Sequence, residues 1–330
     1  MSTPPPISYE KLPYRRCGRS GISLPAVSLG LWQNFGASTQ PETARELIAT
    51  ALDSGITHFD LANNYGPPPG SAEECFGRLI SSDFAPLRDE LIISTKAGYR
   101  MGPGPYGDGG SRKYLLSSLD ASLRRLRLDY VDIFYHHRPD PDTPLEESMG
   151  ALDSAVRQGK ALYAGISNYD ASRAAAAFTC LRAMGTPCLI HQPRYSLLDR
   201  RPESGLLDVL DQEGVGAIIY SPLEQGILAG RYLDGVPDGS RITRGGPFLK
   251  TEHLTPGKLE TVRRLAGIAR DRGQTPAQLA LAWTLRRPVV TSALIGASRP
   301  EQIIECAKCL DAGPLTEAEL GAIEAACSHA

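Results

Sequence analysis

Short, continuous apolar runs alternate along the chain with segments whose apolar residues recur every three to four positions. AVSLGLW (26–32) precedes PETARELIATALDSG (41–55), in which Ala44, Leu47, Ile48, Ala51 and Leu52 fall on one helical face. THFDLA (57–62) precedes SAEECFGRLIS (71–81), LIISTKA (91–97) precedes RKYLLSSLDASLRRLR (112–127), and VDIFYHH (131–137) precedes PLEESMGALDSAVRQG (144–159). The alternation continues with ALYAGISN (161–168) and DASRAAAAFTCLRAMG (170–185), then CLIHQPRY (188–195) and SGLLDVLDQEG (204–214). It ends with GAIIYSPL (216–223) and helices over about 257–287, then SALIGA (292–297) and PEQIIECAKCLDAG (300–313). Continuous rather than alternating apolar strands belong to sheets covered by protein on both faces. Gly55, Gly159, Gly185 and Gly214 stand where helices end in a left-handed residue. Eight strand–helix units predict a (β/α)8 TIM barrel, since doubly wound open sheets usually have fewer strands.

Additions flank the repeat. YRRCGRSGISLP (14–25) carries a turn signal at Arg19-Ser20-Gly21 and predicts a β-hairpin closing the barrel bottom. TEAELGAIEAACSHA (316–330) pairs Thr316 with Glu319, a capping box that predicts an extra C-terminal helix. Residues 1–13, with Pro4-Pro5-Pro6, are expected to form a disordered tail, and 14–330 a single barrel domain. Two long stretches, 98–111 and 224–256, follow the third and seventh strands at the face where such barrels build their sites.

Composition narrows the function. A net charge of −2 gives no overall attraction to nucleic acid or anionic lipid. Hydrophobic residues at 42% and charged residues at 22% fit a globular chain. No apolar run reaches the roughly 18 residues of a membrane span, and the N-terminus lacks a signal peptide's apolar core. Seven cysteines, an odd number in a large chain, suit a reducing cytoplasm. Cys306-x-x-Cys309 lies in a helical stretch with no second ligand pair, so no metal site is expected. Gly102 to Gly107 spells GxGxxG, but its prolines open no helix, and Gly159-Lys160 lacks the rest of a P-loop.

Polar residues end the apolar strands. Asp60, Lys96, His137, Asn168, Gln192 and Tyr220 sit at or near the C-terminal ends of the second to seventh strands, and Ser298 just past the eighth. Ionisable groups there are costly unless paired, so Asp60 and Lys96 suggest a buried ion pair. Tyr65 follows on the loop ANNYGPPPG. A free tyrosine, with a pKa near 10, donates protons poorly at neutral pH, and a nearby lysine is expected to lower that value.

ITHFDLANNYG, LIISTKAG, YVDIFYHHRPD and ALYAGISNY together resemble the aldo-keto reductase family over nearly the whole chain. FDLANNYGPPPGSAE, DELIISTKAGY, GPYGDGGSRKY, DIFYHHRPDP and CLIHQPRYSL carry a narrower likeness to its L-glyceraldehyde 3-phosphate reductase branch, itself similar to potassium-channel β subunits. The resemblance implies a catalytic tetrad of Asp60, Tyr65, Lys96 and His137, with spacing from Asp132 favouring His137 over His136. It implies NADPH/NADP as cofactor. Ser167, Asn168 and Gln192 would hold the nicotinamide carboxamide, Tyr220 would stack on its ring, and Ser221, Leu223, Gly226 and Arg231 would cover the pyrophosphate. Ser298, Arg299, Gln302 and Glu305 would serve the adenosine end, and Trp32, Asp60 and Gly296 complete the cofactor set. Cys306 departs from the family, which often has asparagine there.

Trp32, Tyr65 and Arg138 are expected at the substrate mouth, although Arg138 could equally serve a salt bridge. The implied reaction is reduction of L-glyceraldehyde 3-phosphate and small aldehydes such as methylglyoxal to alcohols. Neither nucleic-acid nor membrane partners are expected. The resemblance suggests a homo-oligomer, a tetramer or octamer, and the alternative function is an NADP-binding regulatory subunit.

Overall fold

The computed structural model describes residues 6–238, 240, 242–243, 245 and 249–328. An antiparallel hairpin, β1 (Tyr14–Arg16) and β2 (Ser23–Pro25), comes first. Eight parallel strands follow: β3 (Val27–Gly30), β4 (His58–Asp60), β5 (Ile92–Ala97), β6 (Val131–His136), β7 (Ala161–Ser167), β8 (Cys188–Gln192), β9 (Gly216–Ile219) and β10 (Val290–Ile295). They close in chain order, β10 pairing with both β3 and β9. The chain is a (β/α)8 barrel. Its outer helices are α1 (Pro41–Asp53), α2 (Ser71–Ile80), α3 (Arg112–Leu126), α4 (Leu145–Arg157), α5 (Ala171–Ala183), α6 (Leu206–Glu213), α7 (Pro256–Asp271), α8 (Pro276–Leu285) and α9 (Pro300–Ala307). α10 (Glu317–Cys327) packs on α7, its capping box intact between Thr316 and Glu319.

Several expected boundaries move for local reasons. β8 stops at Gln192 because Pro193 cannot donate to a ladder. β9 stops at Ile219, two residues before Ser221 turns left-handed at φ 55°. The helices expected over about 257–287 are α7 and α8, separated at Gly273 (φ 68°), with Thr275 capping the second. The expected tail also shortens. Tyr9–Lys11 form a 3-10 turn, Ser8 N–H donates to Leu52 O, and Leu12 is buried. Ile7 and Leu12 give this segment apolar surface to bury against the core, which outweighs the cost of ordering it. Pro4 and Pro5 lie outside the described residues.

The main core fills the space between strands and helices. A second, smaller cluster fills the barrel itself, where Ile133, Tyr135, Ile190, Ile218 and Leu294 meet Cys17 and Leu24 from the hairpin. Tyr135 crosses this interior, and Gly165 makes room for it: a Cβ there would lie 2.6 Å from the ring. The interior side facing β3, β4 and β5 is polar instead, with Ser28, His58, Asp60, Ser94 and Lys96 all fully buried. Among the described residues, no helix is long and apolar enough to cross a membrane.

Candidate active site

The parallel ladder sets the site. Asp60 pairs in register with Ser94 on β5, two residues before Lys96, so both side chains point into the barrel near its C-terminal end. Lys96 Nζ lies 2.5 Å from Asp60 Oδ2 and 2.7 Å from Leu61 O, with both charged side chains fully buried. Its third contact is Tyr65 OH at 3.5 Å. Gln192 Nε2 (3.1 Å) and Ser94 Oγ (2.8 Å) both donate to Asp60 Oδ1. The carboxylate therefore has several donors as well as its ion partner, which a buried pair needs.

His137 stands beside Tyr65, ring centroids 6.0 Å apart, with Tyr99 edge-on to it at 4.6 Å. Burial and Lys96 hold His137 well below its ordinary pKa, so it is neutral, with one ring nitrogen to donate a hydrogen bond and the other to accept one. Its Nδ1 is buried without a partner among the described residues. His136 points the other way: its Nδ1 lies 2.7 Å from the Tyr169 hydroxyl. Burial lowers the Lys96 pKa against the pull of Asp60. Tyr65 departs from expectation: burial, then the Asp60 charge, push its phenol well above the usual value, so no lowering by Lys96 prevails. A raised value keeps the phenol protonated and able to donate.

Tyr65 and His137 line a cleft of about 550 Å3, a size typical of small-molecule sites. Trp32, Asn34, Asn64 and Tyr99 join them in the lining. Asn168, Gln192, Tyr220, Ser221, Leu223, Gly226 and Arg231 line its wall, and Gly296, Ser298, Gln302, Glu305 and Cys306 also belong to it. Asn168 links strand ends: its amide donates to His137 O and accepts from Tyr220 OH at 2.8 Å. Among non-glycine residues, Ser221, Glu224 and Gln225 take positive φ, so this segment bends tightly along the cleft.

The model of the Aldo/keto reductase family matches residues 26–327. The chain belongs to that family. It is 55% identical over 323 residues to the L-glyceraldehyde 3-phosphate reductase of Escherichia coli (strain K12), covering 97% of this chain and 93% of that protein. It is 39% identical over 309 residues to a putative voltage-gated potassium channel subunit beta of Schizosaccharomyces pombe, covering 92% and 89%. Like its family, this aldo/keto reductase is an oxidoreductase.

Within the aldo/keto reductase cleft, some expected residues are not wall residues. Asp60 lies beneath the wall, fully buried against Lys96. Ser167 is likewise buried, donating to Gln192 O. Arg299 is exposed at the N-cap of α9, beside the wall residues Ser298 and Gln302. Arg138 is not a lining residue itself but stacks on one: it pairs with Asp108 at 2.9 Å, donates to Gly98 O and lies over the Tyr99 ring. The salt-bridge alternative is the one realised. Sequence reasoning missed Asn34, Asn64, Tyr99 and Arg194 in the wall. Arg194 and Tyr99 follow strand ends by two residues, the signal that could have found them. Asn34 and Asn64 carry no comparable signal, because they sit on loops.

Proposed function

We propose that the protein reduces small aldehydes to primary alcohols with NADPH, with L-glyceraldehyde 3-phosphate and methylglyoxal-type aldehydes as substrates. The observation that carries this reading is the buried line from Asp60 through Lys96 to Tyr65, ending beside a neutral His137 in the cleft. The residues present suit the cofactor. The cleft wall offers the Gln192 and Asn168 amides and the Tyr220 ring, and Arg231 supplies a cation after the bent segment. NADPH, when bound, supplies the hydride that reaches the carbonyl carbon.

Tyr65 gives its hydroxyl proton to the carbonyl oxygen as charge develops there, and regains a proton from solvent after the alcohol leaves. His137 orients that oxygen. Lys96 stabilises the phenolate left on Tyr65, and Asp60 holds Lys96 in place. Gln192 and Asn168 hold the carboxamide, and Tyr220 stacks on the ring. The identity to the Escherichia coli reductase supports the substrate class. We also propose a cytoplasmic homo-oligomer, which size-exclusion chromatography with light scattering would check.

The test is NADPH oxidation against both glyceraldehyde 3-phosphate enantiomers, glyceraldehyde and methylglyoxal, with Tyr65→Phe in parallel. Tyr65→Phe keeps the ring and loses the proton, so kcat should fall by about 10²–10⁴-fold while NADPH affinity holds. Near-wild-type turnover would remove Tyr65 from its role. The likeness to the channel subunits favours a second reading, an NADP-binding regulatory subunit. That reading calls for tight cofactor binding without appreciable turnover of any aldehyde.

A further inference from the structure

Beneath the reacting groups, the barrel interior holds a line of polar side chains that the proposed reaction does not use. Ser292 on β10, Ser28 on β3, His58 on β4 and Ser94 on β5 are all fully buried. Ser292 Oγ lies 2.6 Å from Ser28 Oγ, and Ser28 Oγ lies 2.9 Å from His58 Nδ1. His58 Nε2 lies 3.1 Å from Ser94 Oγ, which donates to Asp60 Oδ1. On the other side of the same barrel, β6, β8 and β9 offer Ile133, Ile190 and Ile218. Hydroxyls and an imidazole in such a place are costly unless every partner is satisfied.

Counting hydrogens fixes the direction of the line. The single hydroxyl hydrogen of Ser94 is committed to Asp60, so Ser94 accepts from His58 Nε2–H. A neutral imidazole carries one N–H, so Nδ1 is bare and accepts from Ser28. The Ser28 hydrogen is then spent, and Ser292 donates to Ser28. Each group donates toward Asp60. We propose that His58 and Ser94 are positioning residues for the proton donor: a one-way line of hydrogen bonds that fixes the Asp60 carboxylate and damps its field at Tyr65.

This inference rests on Tyr65 being the proton donor. Burial holds the His58 pKa down at about 4, so the ring stays neutral and the direction of the line survives across working pH. The titratable groups acting on or with Asp60 are His58, Lys96, Tyr65 and Tyr135, and Glu73 and His137 act on or with Lys96. Asp60 raises the Tyr65 value. Removing the Ser94 hydroxyl leaves more of that charge unopposed, so Tyr65 becomes a weaker acid.

Two measurements test it. Nitrogen NMR of histidine-labelled protein, with His58 assigned by its loss in His58→Gln or by through-bond correlation, reads the tautomer without any turnover. The expected result is a neutral ring protonated at Nε2 from about pH 5 to 8. The second measurement is the pH profile of kcat/KM. In Ser94→Ala the alkaline limb should move up by roughly half a unit to one unit, with slower turnover at neutral pH and unchanged NADPH affinity by fluorescence. Ser94→Thr, which returns the hydroxyl, should restore the profile.

A His58 protonated at Nδ1 overturns the proposal, and so does a Ser94→Ala profile that does not move. If Ser94→Ala fails to fold, the tautomer alone decides. Tyr65→Phe separates the two readings. Full turnover in that variant removes the proton donor itself, whereas an inactive Tyr65→Phe beside an unshifted Ser94→Ala removes only the line.

Discussion

Gly165 and the pair His136–His137 show how much a single position decides. The Tyr135 ring occupies the space a Cβ on Gly165 would need, and that ring is wedged in the barrel beside Lys96, whose Nζ lies 5.4 Å from its centroid. Gly165→Ala should therefore cost about 1–3 kcal/mol, the usual range for overpacking a tight core, read by chemical denaturation. It should also lower kcat, because Tyr135 has to move against the buried lysine. The two histidines are neighbours in sequence, yet they face opposite sides. His137→Ala should lower kcat/KM by about 10²-fold or more, as misplacing a reacting oxygen does. His136→Ala removes the hydrogen bond to Tyr169 and an interaction with Asp140, so it should lower thermal stability and spare turnover. Matching losses in turnover from the two variants would contradict these orientations. The sequence already offered Asp60, Lys96 and His137, because ionisable residues at the ends of apolar strands stand out. Tyr99 and Arg194, two residues past strand ends, carry the same positional signal without an ionisable partner in sequence to single them out, whereas Asn34 and Asn64 sit on loops with no such signal.

At the scale of elements, α9 is where the proposed NADPH preference would be set. Pro300 occupies its first turn, no side chain caps it, and Gln302 folds back to accept from Ser298 N–H. Such a helix start favours an anion, and exposed Arg299 at the N-cap adds a forked cation beside the wall. NADPH should therefore bind more tightly than NADH. Arg299→Ala should weaken NADPH binding by about 10–150-fold, the equivalent of one charged hydrogen bond, and leave NADH nearly unaffected. Fluorescence titration of both cofactors checks this, and an equal loss for the two would assign Arg299 to a shared part of the cofactor or to the fold. Helix ends were legible at Thr316, where the capping box formed as its spacing implied. Strand ends were less so. The regular ladders end at Gln192, before Pro193, and at Ile219, before the left-handed Ser221, with an isolated bridge between Arg194 and Tyr220 beyond them.

For the molecule as a whole, buried neutral histidines set the acid limit. Burial brings the pKa of His58, His136 and His191 to about 4, against an ordinary value of 6.5. Unfolding frees each ring to take a proton below 6.5, so the unfolded chain binds more protons than the folded one between those values. Stability is full above pH 6.5 and falls as pH drops toward 4. With these three and His137, also held well below 6.5, the slope approaches roughly 5 kcal/mol per pH unit in the middle of that window. Thermal denaturation from pH 7.5 to 4.5 should show the steepest loss there, and replacing His191 with glutamine should flatten it. A flat profile across that range would mean that these rings are protonated in the folded barrel.

The alternation of apolar runs and amphipathic helices was enough to fix eight units and their barrel, because each strand must be covered on both faces and each helix has one face to bury. The order of Asp60, Tyr65, Lys96 and His137 was equally legible, because each stands at or just beyond the end of an apolar strand. Tertiary structure alone decided what surrounds them. It tied Arg138 to Asp108, kept Asp60 and Ser167 beneath the wall, and ordered residues 6–13 against α1. It also raised the Tyr65 pKa where a neighbouring lysine had suggested the opposite. The physical reason is common to all of these. A side chain's partners, burial and field depend on which strands lie beside it, and that follows from closure of the barrel rather than from local sequence.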